Sequence, residues 1–380
     1  MTPLALLLAS IPNARPGAFV QALQPFVDRH QLAGAVALVA DRTRPLVIET
    51  VGYSNLTART RMRADSVFWI ASMTKPVTAA ALMMLVDEGK VALDDPASRF
   101  LPEFREVWMR VERDDAHILL RRPERAVTVR DLLRHTSGLP NLVTAEEGPR
   151  PGSILPLALA TRIYASTPLD AEPGARWGYS SAGFNAIGRI VEVASGMSFD
   201  TFVERRILAP LGMRDTTFSP DRRLLSRLAR SYENDPALTL LTETTIPFET
   251  TPMRAGRRNP LPAGGLYSTA KDMMRFGQML LNGGIDRGHR LLSPSAVREM
   301  TTEQVSREKG MSYGLGLFTN PDGSFGHNGA YGTIMTVYPQ EGRVFVLLMQ
   351  HATIQRYGPQ ALYEAAFRTA SDSFAAGAKP

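Results

Sequence analysis

The stretch FWIASMTKPVTAAALMM, from Phe68 to Met84, decides how the rest of the chain is interpreted. It predicts a buried helix that ends near Gly89, because glycine tolerates the positive φ of a helix terminus. Ser72 and Lys75 are three residues apart and therefore share one face of that helix. The stretch alone leaves two interpretations open: the pair is a nucleophile with its base, or it is the polar cap of a buried helix.

The Ser-x-x-Lys spacing is weak by itself, because the chain contains it three times, at Ser72/Lys75, Ser268/Lys271 and Ser306/Lys309. Ser268 precedes an amphipathic pattern and is interpreted as a helix cap, whereas Ser306 lies in a charged, exposed-type segment. Only Ser72 is enclosed by apolar sequence on both sides. Burial there would desolvate Lys75, and a lysine in a dry pocket loses its proton more easily and can act as a base.

Composition excludes several kinds of site. The 380 residues are 44% hydrophobic and 21% charged, which is typical of one large globular domain or two intertwined ones. The net charge of +6 is scattered, which indicates a solvated surface and not a nucleic-acid-binding face. The absence of cysteine excludes disulfides, thiolate zinc sites and a cysteine nucleophile. The six histidines are dispersed and include no His-Glu-x-x-His, so we expect no metal and no cofactor.

The N-terminus leaves the cellular compartment open. Pro3 to Ile11 is similar to a short apolar signal segment but lacks a basic start and a small-x-small cleavage site, so residues 1–16 are interpreted as flexible or signal-like. The protein could be cytoplasmic or exported. No apolar run reaches the roughly 18 residues of a membrane span. The sequence does not indicate an oligomeric state.

Strand patterns at both ends of the chain predict an α/β (α+β) protein with one antiparallel sheet. The predicted strands are Ala33–Ala40, Pro45–Tyr53, Ser312–Phe318, Tyr331–Tyr338 and Arg343–Gln350. The predicted helices are Gly17–Gln31, the Ser72 helix, Thr128–Gly138, Ser181–Gly196, Thr269–Gly284 and Gln355–Thr369. The sheet region would comprise residues 17–89 and 266–370, with a mostly helical region at 90–265 and a tail at 371–380.

Two further segments could line a cleft with Ser72. In EPGARWGYSSAGFN (Glu172–Asn185), Tyr179 comes just before a predicted helix, and Ser180 or Ser181 could cap that helix. In FGHNGAYGT (Phe325–Thr333), a His-x-Gly begins a strand, and glycine there lets a ligand approach the backbone. Each segment also has an ordinary structural interpretation, as a packed aromatic residue or as a turn.

Together these segments resemble the serine β-lactamase and penicillin-recognising enzyme family, which includes the class C β-lactamases and the family VIII carboxylesterases. Its marks appear in the family's order as SMTK (Ser72–Lys75), YSS (Tyr179–Ser181) and HNG (His327–Gly329). The phrases LLRHTSGLP, PLGMRDTTF and AGGLYSTAKDMMRFGQMLLNG are similar too, and the resemblance covers residues 17 to 370. It implies an antiparallel sheet flanked by helices, a mostly helical part, and a site between them.

The resemblance also implies roles. Ser72 would attack an acyl carbonyl and form an acyl-enzyme, while Lys75 and Tyr179 would share the proton transfers in an order that the sequence leaves open. Backbone N–H groups of Ser72 and Ala330 would form the oxyanion hole. The remaining substrate-side positions would be Ser181, His327, Asn328 and Gly329. His135 is interpreted as a residue that holds a loop through hydrogen bonds.

Two departures from the family pattern favour neutral substrates. His327 stands where many β-lactamases carry lysine, and histidine is mostly neutral at pH 7. Ser181 replaces the commoner asparagine. The sequence therefore predicts a hydrolase of carboxylic esters that acts on a small molecule, with weak β-lactam hydrolysis. The alternatives left open are a β-lactamase, a D-Ala-D-Ala carboxypeptidase or D-aminopeptidase, an acyltransferase, and a penicillin-binding sensor without turnover. A Ser-His-Asp hydrolase is disfavoured because GYSSA (Gly178–Ala182) is the nearest match to its motif.

Overall fold

The structure is a computed structural model that describes residues 17–141, 154–246, 258–306, 312–352 and 360–376. The signal-like segment Pro3–Ile11, the residue Lys309 and the predicted start of the last helix at Gln355 lie outside the described residues.

A single large antiparallel sheet joins the two ends of the chain. Within the described residues it has nine strands, in the order Val305–Ser306, Ser312–Tyr313, Phe318–Thr319, Phe325–Asn328, Ile334–Tyr338, Arg343–Met349, Gly34–Ala40, Pro45–Asn55 and Thr60–Arg61. Leu38 pairs with Val346 on one side and with Ile48 on the other. The predicted antiparallel sheet closed by both termini is therefore confirmed.

The described helices cover both faces of this sheet and form the middle of the chain. They are Ala18–Asp28, Thr74–Asp87, Val129–Leu133, Leu157–Ser166, Ser181–Ser195, Phe199–Val203 (continued through Leu211), Arg222–Leu225, Ala270–Leu281, Pro294–Thr301 and Gln360–Ala376. Ala18–Asp28 and Gln360–Ala376 pack on one face, whereas Ala270–Leu281 packs on the other. Alternate residues of Gly34–Ala40 enter two separate hydrophobic clusters, which explains why this strand is continuously apolar.

The helix Thr74–Asp87, called the central helix below, lies in the main hydrophobic cluster. Every residue from Thr74 to Leu85 is buried, as expected of a helix that is apolar all round. Gly89 adopts φ 69° and its N–H donates to the carbonyl of Val86, which confirms the predicted end of the helix. The central helix packs against Ser181–Ser195, so the segments that carry Ser72 and Tyr179 come together.

Some boundaries differ from the predictions because turns interrupt the apolar pattern. The predicted strand Ser312–Phe318 is two short strands that pair with each other, since the N–H of Gly314 donates to the carbonyl of Leu317 and Gly316 adopts φ 82°. The strand predicted from Tyr331 begins at Ile334, because a turn precedes it.

Other differences concern elements that the patterns did not indicate. Within its described residues the middle region contains two β-hairpins, Met109–Arg113 with Ile118–Arg121 and Ser231–Asn234 with Leu241–Thr244. The last helix continues to Ala376, seven residues beyond its predicted end. Among the described helices, none is long and apolar enough to cross a membrane.

Candidate active site

Ser72 lies in a single 3₁₀ turn, Ala71–Met73, that leads directly into the central helix. Ala71 adopts φ 46°, a left-handed conformation that is uncommon for a residue with a side chain. The turn is fixed from both sides, because Thr74 Oγ1 donates to the carbonyl of Ala71 (2.7 Å) and Thr333 Oγ1 donates to that of Ile70 (3.0 Å). Such a backbone persists only where its surroundings hold it, and it is common at functional sites.

Lys75 brings the sequence-predicted residues together. Its side chain is fully buried, and Nζ donates to Ser72 Oγ (3.2 Å) and to the carbonyl of Ala263 (2.7 Å). Nζ also lies 4.7 Å from the centre of the Tyr179 ring and 5.7 Å from that of Phe184. The N-cap of the central helix is Met73 and not Ser72. Ser72 Oγ and Lys75 Nζ therefore lie within hydrogen-bond distance of each other at the start of the central helix.

Tyr179 immediately precedes the N-cap of helix Ser181–Ser195. Ser180 is that cap, since its Oγ accepts from the N–H of Gly183 (3.0 Å). The hydroxyl of Ser181 donates to the side chain of Asn141 (3.3 Å), a contact that sequence patterns did not indicate. The Ser181 side chain is thus hydrogen-bonded to the loop that contains Asn141.

The HNG segment closes against the Ser72 turn. Gly329 packs so tightly on Ile70 and Ala71 that a β-carbon there would overlap the carbonyl of Ile70 and the hydroxyl of Thr333. This close approach is the reason for glycine at the third position of the motif. The N–H of Gly329 donates to the carbonyl of Thr333 (2.7 Å), which forms the turn that exposes Ala330.

His327 faces an aromatic cluster, and Asn328 is exposed. The histidine is 3% exposed; its Nδ1 contacts the carbonyl of Asn328 (2.7 Å) and its Nε2 the hydroxyl of Tyr313 (3.2 Å). A carbonyl can only accept, so Nδ1 carries a proton. The His327 ring lies 4.8 Å from the ring of Phe318 and 6.4 Å from that of Tyr179. It is therefore held as part of the packing behind Tyr179.

Two residues that sequence reasoning missed orient Lys75. The carbonyl of Ala263 accepts from Nζ, and the N–H of Ala263 donates to Asn185 Oδ1 (2.9 Å). Asn185 in turn donates to the hydroxyl of Tyr164 (3.0 Å), and both side chains are buried. Ala263 and Asn185 stand inside quoted phrases, but a sequence pattern does not show which backbone carbonyl meets a lysine.

The loop before Asn141 is anchored by Asp131. Burial alone would raise the pKa of Asp131, but hydrogen bonds from Arg125, Thr128 and Thr136 outweigh it and lower the pKa to about 2. Thr128 and Asp131 form the predicted capping box, which is confirmed. This anchor fixes the segment that carries His135.

The other two Ser-x-x-Lys pairs are different. Ser268 is buried in a short strand and shares a hydrogen bond with the hydroxyl of Thr216 (2.8 Å). Its predicted role as helix cap is wrong: Thr269 is the cap, because strand pairing with Phe68 continues through Ser268. Lys271 and Ser306 are exposed. Of the lysines in these pairs that the structure describes, only Lys75 is buried.

A cleft borders the Ser72 turn. Its volume is ≈ 20 Å³, and it is lined by Trp69, Ile154, Phe218, Arg258, Asn259, Leu261, Gly265 and Tyr267. Trp69 Nε1 donates to the carbonyl of Gly264 (2.7 Å), and Gly264 packs on Ala71. Trp69 and Gly264 therefore connect the cleft to the Ser72 turn, and the cleft lining combines apolar side chains with Arg258 and Asn259.

Comparisons with known proteins show the family to which this chain belongs. A family model described as Beta-lactamase matches residues 19–368. The chain belongs to the beta-lactamase family. The Mycobacterium tuberculosis protein Rv1367c is 36% identical over 361 residues, which cover 85% of this chain and 87% of the relative. Esterase EstB of Burkholderia gladioli is 36% identical over 227 residues, which cover 57% of this chain and 54% of the relative.

Solved structures confirm the beta-lactamase-family fold. The structure titled "EstCE1, a hydrolase with promiscuous acyltransferase activity" has a TM-score of 0.78 and 23% identity, and the match covers 93% of this chain and 97% of that one. The family resemblance and the β-lactamase/transpeptidase-like fold inferred from the sequence are thus both confirmed. The protein is a serine hydrolase of the beta-lactamase family.

Proposed function

We propose that this protein hydrolyses neutral carboxylic esters through an acyl-enzyme on Ser72. The observation that carries the proposal is the buried Lys75 side chain, whose Nζ lies 3.2 Å from Ser72 Oγ and against the ring of Tyr179. A nucleophile within hydrogen-bond reach of its base, with the base oriented by further groups, is the arrangement that covalent catalysis requires. Ala263 and Tyr179 supply that orientation here.

In the proposed reaction, Ser72 Oγ attacks the ester carbonyl while Lys75 or Tyr179 takes its proton. The oxyanion of the tetrahedral intermediate accepts hydrogen bonds from the N–H groups of Ser72 and Ala330. The intermediate collapses, the C–O bond to the alcohol breaks, and the stored proton goes to the leaving oxygen. Water then attacks the acyl-serine and gives its proton to the same pair. The bond between the acyl carbon and Ser72 Oγ breaks, Oγ takes that proton, and the carboxylic acid leaves.

Two features of the site favour a neutral ester over an anionic β-lactam. His327 stands where a lysine cation would be, and its Nδ1 and Nε2 contact a backbone carbonyl and Tyr313. The hydroxyl of Ser181 donates to Asn141. The relative EstB carries the name esterase, which agrees with this substrate class.

The test is hydrolysis of p-nitrophenyl butyrate by the wild type and by Ser72→Ala. We expect turnover by the wild type and a loss of at least about 1,000-fold in the variant, as for other serine nucleophiles. Ser306→Ala is the matched control, because Ser306 has the same sequence spacing to a lysine but is exposed. Activity retained in Ser72→Ala would refute Ser72 as nucleophile. Faster turnover of nitrocefin than of the ester would refute the substrate class.

A further inference from the structure

His135 holds the backbone on both sides of Tyr179. The carbonyl of His135 accepts from the N–H of Gly178 (2.8 Å), and its ring Nδ1 accepts from the N–H of Ser180 (3.0 Å). The ring centre of His135 also lies 4.4 Å from that of Tyr179. One residue therefore contacts the position before the tyrosine, the position after it and the aromatic ring itself.

The backbone of His135 is itself held rigidly and independently of Tyr179. His135 adopts φ 62°, and the residues beside it are tied to the buried carboxylate of Asp131: Arg134 donates to Asp131 Oδ1 at 3.2 Å and Thr136 at 2.9 Å. The carbonyl of Thr136 further accepts from the N–H of Gly174 (2.7 Å). The His135 side chain is thus attached to a backbone whose position is fixed by these hydrogen bonds.

We infer that His135 is a positioning residue that sets the Tyr179 ring against Lys75 for the proton transfers of acylation. This inference rests on the proposed function and goes beyond the loop-holding role that the sequence predicts. Nδ1 uses its lone pair to accept from Ser180, so this nitrogen does not take a proton from the substrate or from Ser72. His135 acts through the placement of Tyr179, and a displacement of about 1 Å at a reacting group is enough to cost roughly 100-fold in rate.

Three substitutions of His135 distinguish the hydrogen-bond acceptor at Nδ1 from the rest of the side chain. In His135→Asn, the amide oxygen occupies the place of Nδ1, and asparagine is among the non-glycine residues most tolerant of positive φ. His135→Gln carries the same amide one carbon further out, where it no longer reaches the N–H of Ser180. His135→Ala removes the acceptor and the ring. All three variants keep the backbone carbonyl that holds Gly178.

The experiment measures the rate at which a fluorophosphonate probe modifies Ser72. In this step Ser72 Oγ gives its proton to the Lys75–Tyr179 pair, bonds to phosphorus and displaces fluoride. We expect His135→Ala and His135→Gln to react about 100-fold more slowly than the wild type and His135→Asn to stay within about 10-fold. For p-nitrophenyl butyrate the same losses should appear in the acylation rate, with little change in substrate binding. Leu23→Ala, which destabilises the distant cluster under helix Ala18–Asp28, is the control for lost stability and should react at the wild-type rate.

A double-mutant cycle shows whether His135 acts through Tyr179. In a Tyr179→Phe background, His135→Gln should cost less than about 3-fold, because the tyrosine hydroxyl that it positions is already absent. Equal losses in both backgrounds, or equal losses in the asparagine and glutamine variants, would overturn the inference. If the wild type reacts with the probe at Ser72 but does not hydrolyse the ester, the proposed substrate class fails, and the probe rates still decide the role of His135.

Discussion

Gly329 is the point at which one added methyl group would separate the two sides of the proposed site. A β-carbon there would lie 3.2 Å from the β-carbon of Ala71 and would overlap the carbonyl of Ile70 and the hydroxyl of Thr333. The Thr333 hydroxyl could rotate away, but the carbonyl of Ile70 is backbone and moves only with the Ser72 turn. Since an ordinary C···O contact is about 3.3 Å or longer, relief requires a separation of roughly 1 Å.

A separation of that size changes both the rate and the stability of Gly329→Ala. The N–H of Ala330 would move away from Ser72, so we expect kcat/KM for p-nitrophenyl butyrate to fall by about 100-fold. Overpacking should cost about 1–3 kcal/mol of unfolding free energy, measured by urea denaturation. The loss should appear mainly in kcat, because the cleft around Trp69 is untouched.

Gly183→Ala is the matched control for this substitution. Gly183 also lies close to the site, but a β-carbon there would meet nothing nearer than 3.5 Å. It stands inside helix Ser181–Ser195, where alanine is favoured over glycine by about 1 kcal/mol. We expect unchanged or higher stability and near wild-type activity. If Gly329→Ala folds and keeps its kcat/KM within about 3-fold of the wild type, the tight contact between the HNG turn and the Ser72 turn has no bearing on the reaction.

Three further predictions concern buried ionisable side chains. Lys75→Met should lower kcat/KM by at least about 1,000-fold while leaving the unfolding free energy unchanged or higher, because an apolar side chain replaces a buried polar one. A large loss of stability in urea would contradict this. Burial lowers the pKa of His351 to about 4, whereas the unfolded chain takes up this proton near pH 6.5, so about 3 kcal/mol of unfolding free energy should be lost between pH 6.5 and 4. In urea titrations, His351→Gln should weaken this dependence of the unfolding free energy on pH. An unchanged pH dependence would assign it to other groups. The pKa of the Asp131 carboxyl is lowered to about 2 in the folded state, so its contribution to the unfolding free energy is present above pH 3.8 and is lost as the pH falls towards 2. Asp131→Asn should therefore lower the unfolding free energy, measured in urea, by about 3 kcal/mol at pH 7 and by much less at pH 2. An equal loss at both pH values would contradict the ion pairs of Asp131 with Arg125 and Arg134.

The sequence predicts the sheet and the central helix well because their burial is visible in the composition of each segment. Gly34–Ala40 contributes to clusters on both faces and is accordingly apolar at every position. The central helix carries Lys75 within the run from Thr74 to Leu85, which is buried throughout. By contrast, the hairpin Met109–Arg113 with Ile118–Arg121 is largely exposed, so no alternation of apolar and polar residues marks it.

The candidate site can be predicted only in part from the sequence, because many of its contacting residues are far apart in the chain and meet only in the tertiary fold. The spacing of Ser72 and Lys75 follows from helix geometry, but the carbonyl of Ala263 is separated from Lys75 by 188 positions. The direction of the His327 ring depends on Tyr313, which reaches it only because Ser312–Tyr313 forms its own short strand. The choice of Thr269 over Ser268 as helix cap depends on a strand pairing with Phe68 that local pattern does not reveal.

The proposed intermediate can be measured itself. The enzyme is mixed with p-nitrophenyl butyrate, quenched in acid within milliseconds, and analysed by intact mass and peptide mapping. The proposed mechanism predicts one butyryl group per chain on the peptide that contains Ser72, and none in Ser72→Ala. Continued release of p-nitrophenol with no adduct, or with the butyryl group on another residue, would contradict the assignment of Ser72 as the nucleophile.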